Sequence, residues 1–88
     1  MKLKENFVLR QVAGSYVVVA VGAASVDFNG MLTLNDSGAL LWRTLEGGAD
    51  RAALLAALTS EYDVDEAQAA RDLDEFLSSL RSAGCLAE

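Results

Sequence analysis

The chain has 88 residues, of which 52% are hydrophobic and 7% aromatic, and it carries a formal net charge of −6. That length predicts one domain, residues 1–88, with a core built mainly from aliphatic side chains. Histidine is absent and Cys85 is the single cysteine, so a disulfide, a zinc site and a His-activated nucleophile all lack their residues. We therefore expect no metal, no cofactor and no enzymatic activity.

Charge and hydropathy along the chain narrow the choice of partners. No apolar run is long enough to cross a bilayer, and residues 1–7 mix charged side chains and lack the apolar stretch of a secretory signal. This predicts a cytoplasmic protein without a membrane partner. Residues 1–34 contain three basic and two acidic side chains, whereas residues 35–88 contain four basic and eleven acidic ones. The acidic second part argues against nucleic acid as a partner.

The first third of the sequence favours β-strands. Residues 7–12 and 16–21 are rich in valine and aromatic residues, and the segment 13–15 between them is short enough for a hairpin turn. A loop follows at residues 22–27, and residues 31–34 form a short third strand. Apolar side chains occupy both faces of the second strand, which predicts that it is central and that the third strand lies at the edge.

After Asn35 the hydrophobic period becomes helical. Asn35 is expected to cap a first helix that stops at Gly47 and Gly48, and Asp50 to cap a second. The apolar stripes of these two helices comprise Leu41, Trp42, Leu45, Leu54, Leu55, Leu58 and Tyr62. The pattern predicts that Trp42 is a core residue rather than a ligand platform.

A third helix completes the predicted α+β fold of three strands followed by three helices. Asp63 followed by Glu66 predicts a capping box at the start of the third helix, and Gly84 predicts the end of that helix. Leu73, Phe76, Leu77 and Leu80 are expected to point inward. The acidic residues of this region lack the glycine-centred spacing of a calcium loop, so we interpret them as helix-start charges and a solvated face. Cys85 is expected to be a buried, unreactive thiol.

The edge of the predicted sheet is the candidate functional feature. Residues 27–34 contain no lysine or proline that would block pairing with another strand. Such an edge is either covered, by a loop or by a second copy of the chain in a homodimer, or used to bind an extended peptide.

These residues together resemble the PqqD family. The hairpin resemblance is carried by Phe7-Val8-Leu9-Arg10, Gly14 and Tyr16-Val17-Val18-Val19. The run Phe28-Asn29-Gly30-Met31-Leu32-Thr33-Leu34-Asn35, followed by Gly38, Leu41 and Trp42, is similar to the most recognisable stretch of that family. Glu61-Tyr62-Asp63-Val64 and Leu80-Arg81-Ser82-Ala83-Gly84 extend the resemblance over nearly the whole chain.

The resemblance implies a winged helix-turn-helix fold and a recognition role. Members of the family bind the leader region of ribosomally synthesised precursor peptides as a strand added beside strand three, and present it to a modifying enzyme, often of the radical S-adenosylmethionine type. Carried over to this sequence, the peptide-binding residues are Asn29, Gly30, Met31, Leu32, Thr33, Leu34, Asp72, Leu73, Phe76 and Leu80. The alternative is a winged-helix DNA-binding regulator reading DNA with the third helix, against which the acidic residues of that helix argue.

Overall fold

The structure is a computed structural model that describes residues 1–21 and 32–87. In chain order its elements are β1 (Lys2–Leu3), β2 (Phe7–Val12), β3 (Ser15–Ala20), β4 (Leu32–Leu34), α1 (Asp36–Glu46), α2 (Arg51–Glu61), α3 (Glu66–Ala83) and β5 (Leu86–Ala87). Strands β2, β3 and β4 form an antiparallel sheet in that order, and β1 pairs with β5. The predicted three-stranded sheet followed by three helices is confirmed, with the second predicted strand at its centre.

The hairpin between β2 and β3 closes through a two-residue turn. Ala13 and Gly14 both have positive φ, 52° and 82°, as a type I′ turn requires. The turn is therefore one residue shorter than the predicted one, and Ser15 already pairs with Val12 in the ladder. Turns of this type match the right-handed twist of the strands, and the length of this turn fixes the register between β2 and β3.

The sheet has one face on the core. Leu9, Val18 and Leu32 lie opposite one another across the three strands, and Val18 is completely buried. The next row, Arg10, Val17 and Thr33, points to the other face because side chains alternate along a strand. The core-facing row packs against a cluster that includes Leu41, Trp42, Leu45, Leu54, Leu58, Leu73, Phe76, Leu77 and Leu80.

The three helices begin at side-chain caps. Asn35 Oδ1 accepts a hydrogen bond from Gly38 N–H at 2.8 Å, and Asp50 Oδ1 accepts one from Ala53 N–H at 2.8 Å, as predicted. The predicted capping box at Asp63 is wrong: the cap of α3 is Asp65, whose Oδ1 accepts from Gln68 N–H at 2.7 Å. Both aspartates have a side-chain oxygen that can accept a hydrogen bond at a helix start, but the helical backbone begins directly after Asp65.

The end of α3 and the chain termini are joined by contacts that the sequence pattern did not predict. Gly84 ends the helix with φ 77°, and Cys85 N–H donates to Leu80 C=O at 2.9 Å, which completes a Schellman motif. Lys4 N–H donates to Cys85 C=O at 2.8 Å and brings β1 beside β5. Strands of two residues are too short to give a hydrophobic pattern, so they were missed. None of the helices in the described ranges is long and apolar enough to span a membrane.

Candidate functional site: a groove between β4 and α3

A surface groove of about 290 Å³ lies between β4 and α3. Its walls come from the end of β4, the first turns of α1 and the middle of α3. The lining residues are Thr33, Leu34, Asn35, Ser37, Gly38, Leu41, Asp72, Glu75, Phe76 and Ser79. The groove therefore has an apolar floor, from Leu41 and Phe76, and polar rims.

The register of the sheet decides which backbone groups of β4 face this groove. In a two-residue hairpin the closing pair, here Val12 and Ser15, is a hydrogen-bonded pair, and such pairs alternate along the ladder. Val17 therefore bonds to β2, while Tyr16 and Val18 direct their N–H and C=O groups toward β4. Leu34 and Leu32 are their partners.

Thr33, opposite Val17, is consequently in a non-hydrogen-bonded pair with β3. Its own N–H and C=O point away from the sheet, toward the outer edge of β4. Thr33 is exposed and lines the groove. Within residues 1–21 and 32–87, no other strand pairs with that edge of β4. Thr33 therefore offers one donor and one acceptor spaced for a further strand.

Gly38 fixes the position of β4 relative to α1. A Cβ atom at this position would lie 3.2 Å from Leu34 Cβ and 3.2 Å from Asn35 Oδ1, closer than side chains ordinarily pack. The absence of a side chain lets the first turn of α1 approach the end of β4.

The α3 wall of the groove is acidic. Asp72 and Glu75 are exposed and line it, and Asp72 Oδ1 accepts a hydrogen bond from the neutral Gln68 side chain at 2.9 Å. The neighbouring Asp74 instead pairs with Arg51 at 3.2 Å, away from the groove. Among the described residues, no Lys or Arg nitrogen lies within ion-pair distance of the two groove carboxylates. The groove thus presents negative charge to whatever enters it.

The residues predicted to bind a peptide are divided by the structure into three groups. Asn29, Gly30 and Met31 lie outside the described residues. Thr33, Leu34, Asp72 and Phe76 line the groove, and Leu32 is half-buried on the same strand. Leu73 and Leu80 are completely buried in the core and do not line it.

The sequence-based list omitted Glu75 and Ser79, which line the groove. Starting from Asp72, the spacings of three, four and seven residues put Glu75, Phe76 and Ser79 on one helix face, so this signal was available. The contributions of Asn35, Ser37 and Gly38 depend on how α1 meets β4, which sequence periodicity does not report.

Two residues whose side chains could bind a ligand or react, Trp42 and Cys85, belong to the core instead. Trp42 is fully buried, as predicted. Cys85 is also fully buried, and burial raises the pKa of its thiol above the ordinary value of 9.0, an effect that the positive charge of Lys4 partly opposes. A high pKa keeps the sulfur protonated and unreactive, which agrees with the predicted inert thiol. In the part of the chain that the structure describes, no three His, Cys, Asp or Glu side chains are grouped as metal ligands would be.

An α+β domain with an open sheet edge facing a helix belongs to the class of folds that can take up an extended peptide by strand addition. The model of the family described as Coenzyme PQQ synthesis protein D (PqqD) matches residues 9–86, and the chain therefore belongs to the PqqD family. A comparison with curated proteins gave no match.

Two solved structures have the same fold. One, described as TbiB1 in complex with the TbiA(beta) leader peptide, has a TM-score of 0.77 and 24% identity, with 100% of each chain covered. The other, described as lasso peptide synthetase B1 complexed with the leader peptide, has a TM-score of 0.76 and 28% identity. That match covers 99% of this chain and 96% of the other. Both matches agree with the α+β fold of a three-stranded antiparallel sheet followed by three helices.

Proposed function

We propose that this chain binds the leader region of a ribosomally synthesised precursor peptide as an added strand beside β4 and presents it to a modifying enzyme. The observation that carries the proposal is the outward-facing backbone of Thr33 at the rim of a groove closed by α3. Membership of the PqqD family supports it, and both similar structures are described as complexes with a leader peptide.

The pairing geometry defines how the peptide would lie. One peptide residue pairs with Thr33 and exchanges two hydrogen bonds with it, and its side chain points to the outer face of the sheet, as that of Thr33 does. The peptide residues before and after it then point to the core-facing side, over Phe76 and Leu41 on the groove floor. We expect the leader to carry apolar side chains at these two alternate positions.

The expected energetics divide between backbone and side chains. Each backbone hydrogen bond contributes a net of about 0.5–1.5 kcal/mol, so the two bonds to Thr33 give weak affinity without selectivity. Selectivity comes from the apolar side chains that enter the groove beside Phe76. Asp72 and Glu75 favour a leader with Lys or Arg along its rim, mainly through the association rate.

The proposed role is that of an adaptor, with the chemistry left to a separate enzyme. The family resemblance implies radical S-adenosylmethionine enzymes as partners, whereas the second similar structure is described as lasso peptide synthetase B1. We propose that the adaptor works in the cytoplasm and does not bind nucleic acid. The exposed face of α3 presents Asp72, Asp74 and Glu75, which would repel a phosphate backbone.

The direct experiment is a binding titration. The neighbouring genes are searched for a short precursor, and its leader peptide, labelled with fluorescein, is titrated with the protein and followed by anisotropy. We expect saturable binding of the leader and none of the core peptide from the same precursor. Equal binding of the two peptides, or binding of neither, would contradict the proposal.

A further inference from the structure

A second pocket adjoins the groove where α1, α2 and α3 meet. It has a volume of about 310 Å³ and is lined by Asn35, Asp36, Ser37, Leu58, Tyr62, Val64, Ala69 and Asp72. Asn35, Ser37 and Asp72 also line the first groove, so the two spaces lie side by side. The second pocket begins where β4 ends, because its first three lining residues directly follow that strand.

The lining of this pocket combines two kinds of chemistry. Leu58, Tyr62, Val64 and Ala69 give it an apolar wall, and Val64 is 38% exposed. Asp36 and Asp72 add carboxylates at its polar side. An apolar wall beside two carboxylates suits a side chain with an apolar stem and a positive head, as in arginine or lysine.

We infer that this pocket is a second subsite for the same precursor peptide, taking an arginine or lysine side chain from the segment that precedes the paired strand. The inference rests on the proposed function. The apolar stem of the arginine or lysine side chain packs against Val64 and Leu58, and its charged head lies beside Asp36 and Asp72. For an arginine, the ring of Tyr62 offers an additional cation–π surface.

The direction of the added strand decides which segment of the peptide reaches the pocket. Every pair in the three-stranded sheet is antiparallel, and an antiparallel peptide would continue that alternation. Such a peptide runs toward its own N-terminus as β4 runs toward Asn35. The basic residue therefore lies on the N-terminal side of the residue that pairs with Thr33.

The test combines variants of the protein with variants of the leader peptide from the neighbouring precursor gene. Replacing Asp36 and Asp72 together by asparagine keeps their size and removes both charges. For exposed or partly exposed ion pairs we expect Kd to rise by roughly three- to tenfold at low salt, with a smaller rise at high salt. Glu46→Gln removes one charge at the far end of α1 and serves as the control, for which we expect no change in Kd.

The apolar wall is tested in the same way. Val64→Ser should raise Kd about three- to tenfold, whereas Val12→Ser, at an exposed valine next to the hairpin turn, should leave it unchanged. A leader with its basic residue replaced by glutamine should bind the wild-type protein less tightly and be insensitive to the aspartate substitutions, because the two partners act as one pair.

Failure of this inference can be told apart from failure of the proposed function. If the leader binds and Thr33→Pro weakens it, while the aspartate and Val64 substitutions have no effect, the subsite is wrong and strand addition stands. Sensitivity to Val64→Ser without sensitivity to the charges would mean that an uncharged apolar side chain occupies the pocket, which overturns the assignment of arginine or lysine. A leader that does not bind at all overturns both.

Discussion

The outward-facing N–H of Thr33 allows a sharp perturbation of peptide binding. Proline at this position removes that N–H, and its ring occupies the place from which the peptide carbonyl would accept a hydrogen bond. The ladder between β3 and β4 should survive, because Leu32 and Leu34 make the bonds to β3. We therefore expect Thr33→Pro to stay folded and to lose affinity for the leader.

The magnitude follows from two contributions. One lost hydrogen bond costs about 0.5–1.5 kcal/mol, and a peptide carbonyl left unpaired against the protein costs about 1–3 kcal/mol. Together they predict a loss of about 1.5–4.5 kcal/mol, which corresponds to an increase in Kd of roughly ten- to two-thousandfold. The assay is anisotropy with the labelled leader, and circular dichroism checks that the variant remains folded.

The chain offers two matched controls for this substitution. Thr33→Val keeps the N–H and should change Kd by less than about threefold, because only the hydroxyl is lost. Gln11→Pro makes the same backbone change on the opposite edge of the sheet: Gln11 lies in a non-hydrogen-bonded pair with Tyr16, so its N–H also faces outward. An unchanged Kd for Thr33→Pro would refute the argument, as would an equal loss for Gln11→Pro.

Further predictions concern the core, the thiol and nucleic acid. Leu73→Ala should cost about 2–5 kcal/mol of folding free energy, measured by urea unfolding, and leave leader binding intact in the folded fraction, whereas Phe76→Ala should weaken binding as well. The raised pKa of Cys85 predicts slow reaction with a thiol reagent below pH 9.0 until the protein unfolds, and a stability that falls as the pH rises above that value. Duplex DNA should not bind at physiological salt, and a micromolar Kd that weakens steeply with added salt would favour the regulator alternative.

Local signals in the sequence were sufficient for most of the fold. Paired runs of valine around Ala13 and Gly14 predicted the hairpin, and Asn35 and Asp50 predicted two helix starts, because each signal acts within a few residues. The start of α3 was misplaced because Asp63 and Asp65 carry the same capping chemistry, and the path of the preceding chain determines which one is used.

The candidate site was harder to predict because it depends on contacts between distant elements. Helix periodicity indicates that Leu73 and Phe76 share an apolar face, yet Leu73 is completely buried while Phe76 keeps part of its surface in the groove. The difference depends on how α3 packs against β4 and α1, which helix periodicity does not report. In the same way, the outward direction of the Thr33 N–H follows from the hairpin register and not from any property of threonine.

The most direct test of strand addition at β4 is residue-resolved amide hydrogen exchange with and without the leader peptide. In the free protein, Thr33 N–H should exchange quickly and Leu34 N–H slowly, since Leu34 N–H bonds to β3 and Thr33 N–H does not. Addition of the leader should slow the exchange of Thr33 strongly and leave Leu9 and Gln11 on the opposite edge unchanged. Protection of β2 or α2 with Thr33 still exchanging at its free rate would contradict binding at β4.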